Sequence, residues 1–518
     1  MTDHRPATAD PARDRSSQPA DGARTGGPLA VIVLAAGGGT RMKSSLPKVM
    51  HAIAGRSLLQ HTIAAFEALL ADELVVVVRH DRDQVAAHVA EVAPGAKLVD
   101  QDEIAGTGRA TACGLAALPA DWSGTVVVTV ADVPLLQPET LTALVRQHER
   151  DGNVVTVLTA DVPDPAGYGR ILRDNVGRVL GVREHRDADA EERGITEVNS
   201  GILAFDATFL TAELPKLSDD NDQAQLYLPD VLGAAVAQGR AVGALRIDDY
   251  WQTEGVNDRV QLATLGRVLN DRLTRQAMLD GVTIVDPATT WLDVDVELGV
   301  DVRLEPHTQL RGHTTVADGA VVGPDVTLTD CAVGAGASLV RAQGDHAEIG
   351  AGVMVGPFAY LRPGTRVAAG AKIGTFVETK NAEIGAGAKV PHLSYVGDAD
   401  IGPGTNIGAG VIFANYDGVD KHHTSIGRDV FVGSDSTLVA PRTIADGSYV
   451  GAGSTVVLDV EPGELAVARG RQRNIDGWVD RKRAGTATAD SARAAREGTT
   501  ELTKGPATPD DQPEEPSA

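Results

Sequence analysis

Aromatic side chains make up only 3% of this 518-residue chain, cysteine occurs twice, no apolar run is long, and basic residues are outnumbered by acidic ones. Each shortage excludes something. Large mixed folds lean on Phe, Tyr and Trp because each buries so much area, so part of this chain must be held together by other means. Cys113 and Cys331 lie far apart with no metal-ligand neighbour, which argues against a zinc module or a disulfide framework and predicts two packed thiols in a reducing cytoplasm. The opening MTDHRPATADPARDRSSQPADG has no apolar core of the signal-peptide kind, and nothing approaches a membrane span, so a soluble, unexported protein without a membrane partner is expected. A formal net charge of −24 argues against a nucleic-acid partner as well. Any anionic ligand must be met by local clusters of cations, and is therefore expected to be small.

Glycine, by contrast, numbers 57. That abundance suits a solenoid of small-residue turns better than an α/β enzyme. The length allows about three domains, and the composition separates them. Residues 1–27 and 484–518 carry too few large apolar side chains to offset the entropy of ordering, and are expected to be disordered. Residues 28–256 alternate Val/Ile runs such as LAVIVLAAG, ELVVVVRH and TVVVTVAD with helix-like stretches, the pattern of a doubly wound, mainly parallel sheet covered on both faces. From 257 to 280 apolar residues recur at three- and four-residue steps, which predicts a linker helix. From 281 to 483 hexads such as AVVGPD, EIGAGA and VFVGSD imply a left-handed parallel β-helix, each coil taking three hexads. The rhythm breaks at Arg341–His346 and Tyr416–His423, and interruptions of a solenoid are where function is expected.

The most informative stretch runs from Val31 to Lys48, VIVLAAGGGTRMKSSLPK. An apolar strand breaks into three successive glycines, which let backbone N–H groups close on an oxyanion, and Arg41 and Lys48 supply positive charge. The order is neither that of a P-loop nor that of a dinucleotide-binding turn; it resembles the signature of sugar-nucleotide pyrophosphorylases. A triphosphate there needs a divalent cation, and Asp132, at the end of TVVVTVAD, is the natural carboxylate ligand.

Residues 29–480 resemble the bifunctional bacterial N-acetylglucosamine-1-phosphate uridyltransferase / glucosamine-1-phosphate N-acetyltransferase family, both halves in order. The resemblance implies that Leu34, Ala35, Ala36 and Gly37 with Arg41 and Lys48 cradle UTP, that Gln101, Gly106 and Thr107 read uracil, and that Asp132 and Asn257 hold Mg2+. Gly169, Glu184 and Asn199 would contact the sugar and acetamide. In the second half it implies His392 as general base supported by Glu378, and Arg362, Lys380, Tyr395 and Asn406 on the sugar phosphate. Asn415, Tyr416 and Ser434 would position amine and acetyl group, with Ala409, Ala452 and Arg469 along the acetyl-CoA track. It further implies a cytoplasmic homotrimer through the β-helix, making UDP-N-acetylglucosamine. Ala131, Arg109 and Pro391 depart from the residues usual in that family; small positional changes are expected from Ala131, and Pro391 fixes the backbone entering its loop. Trp478 with Arg481, Lys482 and Arg483 reads as a terminal anchor more readily than as a ligand contact. Two rivals remain open: a pyrophosphorylase whose β-helix is structural only, and a hexapeptide-repeat zinc hydratase using His392, His422 and His423.

Overall fold

The computed structural model describes residues 27–499, and the chain divides into two compact units between Asn270 and Asp271. The sequence expectations for residues 1–26 and 500–518 lie outside the described residues.

In the first unit a central sheet orders its strands as Val242–Ile247, Val155–Asp161, Glu197–Asp206, Thr125–Val130, Leu29–Leu34, Glu73–Val78 and Lys97–Asp100. Alternate residues feed two cores. Val31, Val33, Val76 and Val127 face one side; Ala30, Ile32, Val75 and Val126 face the other. Continuous apolar runs are the consequence of covering both faces, and each fully buried Val or Ile contributes about 1.5–3 kcal/mol. The sheet is mainly parallel with one reversed strand: Glu197–Asp206 runs antiparallel to both of its neighbours, and the hairpin Arg170–Arg173 with Val179–Arg183 hangs from it. Strand Leu29–Leu34 has parallel partners on both sides, Thr125–Val130 and Glu73–Val78. The chain's winding reverses there, which opens a crevice at the carboxyl ends of those strands.

A helix spans Arg259–Leu279. Beyond it, short parallel strands from Thr283–Ile284 to Leu465–Ala466 stack in register, Lys372 pairing Lys389 and Phe431 pairing Tyr449 from coil to coil. This is the left-handed β-helix. Its inward slots, among them Leu304, Val322, Leu339, Val355 and Ile373, form one continuous core.

Two expectations fail here. Arg341–His346 is no insertion, because Ala342–Asp345 is an ordinary strand of the ladder. Its inward slot holds Gly344, where a Cβ would meet Leu328 at 2.8 Å and Cys331 Sγ at 3.1 Å; neighbouring side chains have taken the space an aliphatic residue would fill. Nor is the segment after 484 without structure as far as it is described: Ala487–Thr499 is a helix, tied back by Arg496 to Asp480 at 2.8 Å. Trp478 lies under the Arg483 guanidinium at 4.9 Å.

Candidate functional sites

The phosphate loop leaves its strand at Leu34. Ala35 N–H donates to Val77 at 2.8 Å, and Gly39 turns left-handed at φ 54°, where a Cβ would strike the Lys48 Cβ at 2.6 Å. Glycine there is what brings Lys48 onto the loop. Lys48 then donates to the Asp132 carboxylate, while Arg41 Nη2 donates to Asn257 Oδ1 at 2.7 Å. Val256 N–H reaches the Asp132 carbonyl at 2.9 Å, so the two oxygen donors are carried on adjoining segments. One Asp132 carboxylate oxygen and the Asn257 amide oxygen are thus each engaged by a side-chain cation. Asp132 and Asn257 are the residues that would hold a divalent ion, and such an ion would supply charge neutralisation on a bound phosphate. One carboxylate and one amide carbonyl suit a hard ion that completes its shell with phosphate oxygens and water, and among the described residues no group of three His, Cys, Asp or Glu could hold a metal alone. The residues fit a metal that is bound together with nucleotide.

The expected uracil set lies two strands further out, after Lys97–Asp100. Gln101 Nε2 donates to Ile104 O at 2.8 Å, and Gly106, at φ 118°, presses so close to Leu226 that a Cβ would lie 2.3 Å from its carbonyl. Thr107 Oγ1 is already engaged, accepting from Leu228 N–H at 3.0 Å. Arg109 donates to Asp102 at 2.9 Å, fastening the helix Thr107–Leu115 to the same loop. Ala131 is buried, its N–H on Leu34 O at 3.1 Å.

Gly169, Glu184 and Asn199 come together. Asn199 N–H donates to Gly169 O at 2.8 Å, and a Cβ on Gly169 would lie 3.1 Å from Glu184 Oε1. Burial, with Asp230 and Asp187 adding repulsion, pushes the Glu184 carboxyl up to about 7. It therefore changes charge across the physiological range. An ionised carboxylate holds a sugar hydroxyl more strongly than a neutral acid, by about 1 kcal/mol. Where Glu184 contacts the sugar, as the resemblance implies, the KM for the sugar phosphate in uridyl transfer should fall about fivefold as pH rises through 7, and Glu184→Gln should lose that step while keeping whatever the substrate's own phosphate titration contributes. Identical pH profiles for the two proteins would count against this.

On the second unit Arg362 Nη1 donates to Glu378 Oε1 at 2.8 Å. Glu378 thus has Arg362 as a hydrogen-bond partner through one of its carboxylate oxygens. Glu378 pairs with Tyr360 and Tyr395 on one ladder, whereas His392 pairs with Thr375 on another. Lys380 lies beside Lys421, whose ammonium, ahead of a small burial effect, lowers the Lys380 pKa. Lys421 belongs to the interruption Tyr416–His423, which is a true loop. Asp417 braces it, accepting from Val419 N–H, Asp420 N–H and His422 Nε2 at 2.8, 2.8 and 2.7 Å. His422 is therefore committed within that loop and His423 reaches Asp400 at 3.0 Å, which does not converge with His392 as a zinc site would require.

His392 is exposed, and its carbonyl accepts from Gly410 N–H at 3.2 Å one coil on. From there the remaining expected residues climb one corner. Asp435 N–H donates to Ala409 O at 2.7 Å, Gly453 N–H to Ser434 O at 2.8 Å, and Arg469 Nη1 to Ala452 O at 2.6 Å. Asn406, paired with Lys389 and Phe431, flanks this climb on the His392 ladder. Tyr416 stands at the loop's start with its hydroxyl on Gly418 O at 2.6 Å. The backbone of Pro391 packs directly on Gly374, where a Cβ would meet the Pro391 carbonyl at 1.8 Å.

Residues 31–195 match the MobA-like NTP transferase domain. The bifunctional protein GlmU of Streptomyces avermitilis is 55% identical over 469 residues, covering 90% of this chain and 97% of the relative. That of Micrococcus luteus is 55% identical over 481 residues, with the same shares, and that of Mycobacterium marinum 51% identical over 473 residues, with 90% and 96% covered. The chain belongs to the GlmU family. As a GlmU-family member it is a bifunctional enzyme of UDP-N-acetylglucosamine biosynthesis, a nucleotidyltransferase and an acyltransferase in one polypeptide. Nucleotide and acetyl-CoA substrates and dependence on a metal go with that membership. No helix among the described residues is long and apolar enough to cross a membrane.

Sequence reasoning missed several groups in these GlmU-family sites. Tyr168 donates to Glu254 at 2.7 Å, joining the loop before Gly169 to the segment that carries Asn257. Lys421 stands beside Lys380, and the Asp398 carboxylate interacts with both ammonium groups. The one available signal was a lysine inside an interruption of the repeats.

Proposed function

We propose that the second unit acetylates glucosamine-1-phosphate from acetyl-CoA and the first then transfers UMP from UTP to the N-acetylated sugar phosphate, with magnesium as the metal, in a cytoplasmic homotrimer. The observation that carries the reading is the gathering of Arg362, Lys380 and Lys421 on the solenoid of an acidic chain. A β-helix serving only assembly has no use for three clustered cations, whereas a sugar phosphate dianion does.

In acetyl transfer the cations hold the phosphate and His392 takes a proton from the substrate ammonium. The freed amine attacks the thioester carbonyl, Ser434 donates to the oxyanion, the C–N bond forms and the C–S bond breaks. The imidazolium then returns a proton to the leaving coenzyme A thiolate, and the second amine proton leaves to water. In uridyl transfer an oxygen of the sugar phosphate attacks the α-phosphorus of UTP and pyrophosphate departs. Arg41, Lys48 and the glycine N–H groups hold the phosphates in line, Gln101 and Thr107 fix the base, and Gly169, Glu184 and Asn199 fix the sugar. Magnesium, held by Asp132 and Asn257, would supply charge neutralisation on the phosphates.

The exposed column of Phe358, Phe376 and Leu393, the two rings stacked at 5.3 Å, supports assembly of solenoids side by side. The test of function is sequential. With glucosamine-1-phosphate and acetyl-CoA the chain should release free thiol, and pyrophosphate should follow only once UTP and magnesium are added. Absence of thiol from the folded protein, with pyrophosphate still formed from supplied N-acetylglucosamine-1-phosphate, would leave a pyrophosphorylase alone.

A further inference from the structure

One corner of the solenoid carries a column of polar side chains that runs into the acetyl-transfer site. Asn381 and Asp398 both adopt left-handed backbone, at φ 47° and 49°, and Asn381 Nδ2 donates to Asp398 Oδ1 at 3.0 Å. One coil further on, Asn415 Nδ2 donates to the other carboxylate oxygen at 2.5 Å. Gly397 makes the room, since a Cβ there would lie 2.4 Å from the Tyr395 hydroxyl and 2.8 Å from Asn415 Nδ2. Burial opposes charge on Asp398, but the two amides and the ammonium groups of Lys380 and Lys421 outweigh it and keep the carboxyl below its usual range.

An ionised carboxylate can only accept. The Asn415 amide is therefore not free to choose its orientation: its NH2 faces Asp398, and Oδ1, on the other side of the amide, is what remains to offer a ligand. We propose that Asp398 is a positioning residue for acetyl transfer, making Asn415 an acceptor that aims a substrate amine N–H, and leaving donation to the thioester oxyanion to Ser434. This rests on the acetyl-transfer reading of the second unit. The same carboxylate also offsets charge beside Lys380 and Lys421, so its removal has opposite effects on chemistry and on phosphate binding.

The test is a set of variants assayed for both reactions. Asp398→Ala should lower kcat for acetyl transfer about 10- to 100-fold, with the KM for glucosamine-1-phosphate unchanged or lower because a negative charge has left the cation cluster. Asp398→Asn, which keeps an accepting oxygen, should recover part of the rate. The Asp398→Asn/Asn415→Ala double variant should be no slower than Asn415→Ala alone, as expected when one residue acts through the other. Uridyl transfer and the unfolding midpoint serve as controls on the same polypeptide. A double variant slower by the product of the two single effects, or a raised KM with kcat retained, would overturn the proposal. Full acetyl transfer in Asn415→Ala would instead remove the site assignment beneath it.

Discussion

Replacing Asp132 by Ala is expected to lower uridyl transfer by at least about a thousandfold while acetyl transfer stays within about twofold of the parent chain. The carboxylate follows strand Thr125–Val130 at the crevice and holds the Lys48 ammonium, next to an Asn257 amide that holds Arg41. Without it one amide oxygen is left for a divalent ion, too little to hold one against water. The loss should sit in kcat. Removing a negative charge leaves Arg41 and Lys48 unopposed, so the triphosphate should still bind and the KM for UTP should move far less than the rate. Asp132→Asn retains an oxygen without the charge and should fall between. The measurement is pyrophosphate release across a magnesium titration, with thiol release as the internal control. Unchanged magnesium-dependent release would mean that the metal is held by other residues.

What the sequence made legible follows from what repeats in it. Both-faces-buried strands write their apolar runs in plain order, as Val31, Ile32 and Val33 do, and a β-helix repeats its aliphatic slot every coil. Strand direction leaves no such mark: Glu197–Asp206 is as buried as the strands on either side of it but runs antiparallel to both. Gly344 misled because its slot is filled from next door by Leu328 and Cys331. The helix Ala487–Thr499 was hidden by composition, since alanine serves helix propensity without supplying the bulk by which order is usually judged. In the sites, groups belonging to motifs could be named individually. The arrangement could not: Asn381, Asp398 and Asn415 stand 17 residues apart in turn, and only the stacking of coils makes them one column. Glu378 shows the same limit. Its place in the motif is plain from the residues, but only the stacking of coils shows its carboxylate accepting from Arg362.

His392→Ala should remove acetyl transfer by about 10²- to 10⁴-fold, the usual contribution of a positioned base, with uridyl transfer retained. The imidazole is exposed and the main chain does the structural work there: the His392 carbonyl accepts from Ser394 Oγ at 2.8 Å and Gly410 N–H at 3.2 Å, and both bonds survive the substitution. Folding should therefore be intact, and binding too, because Arg362, Lys380 and Lys421 are untouched. The KM for glucosamine-1-phosphate should stay near that of the parent. The remaining slow reaction depends on amine already deprotonated in solution, so its rate should keep rising with pH where the parent enzyme's has levelled off. A variant that keeps a levelling pH profile at nearly full rate would show that another group takes the ammonium proton. A variant that loses both reactions would show that the two chemistries are not independent, against the separation of their residues between the two units.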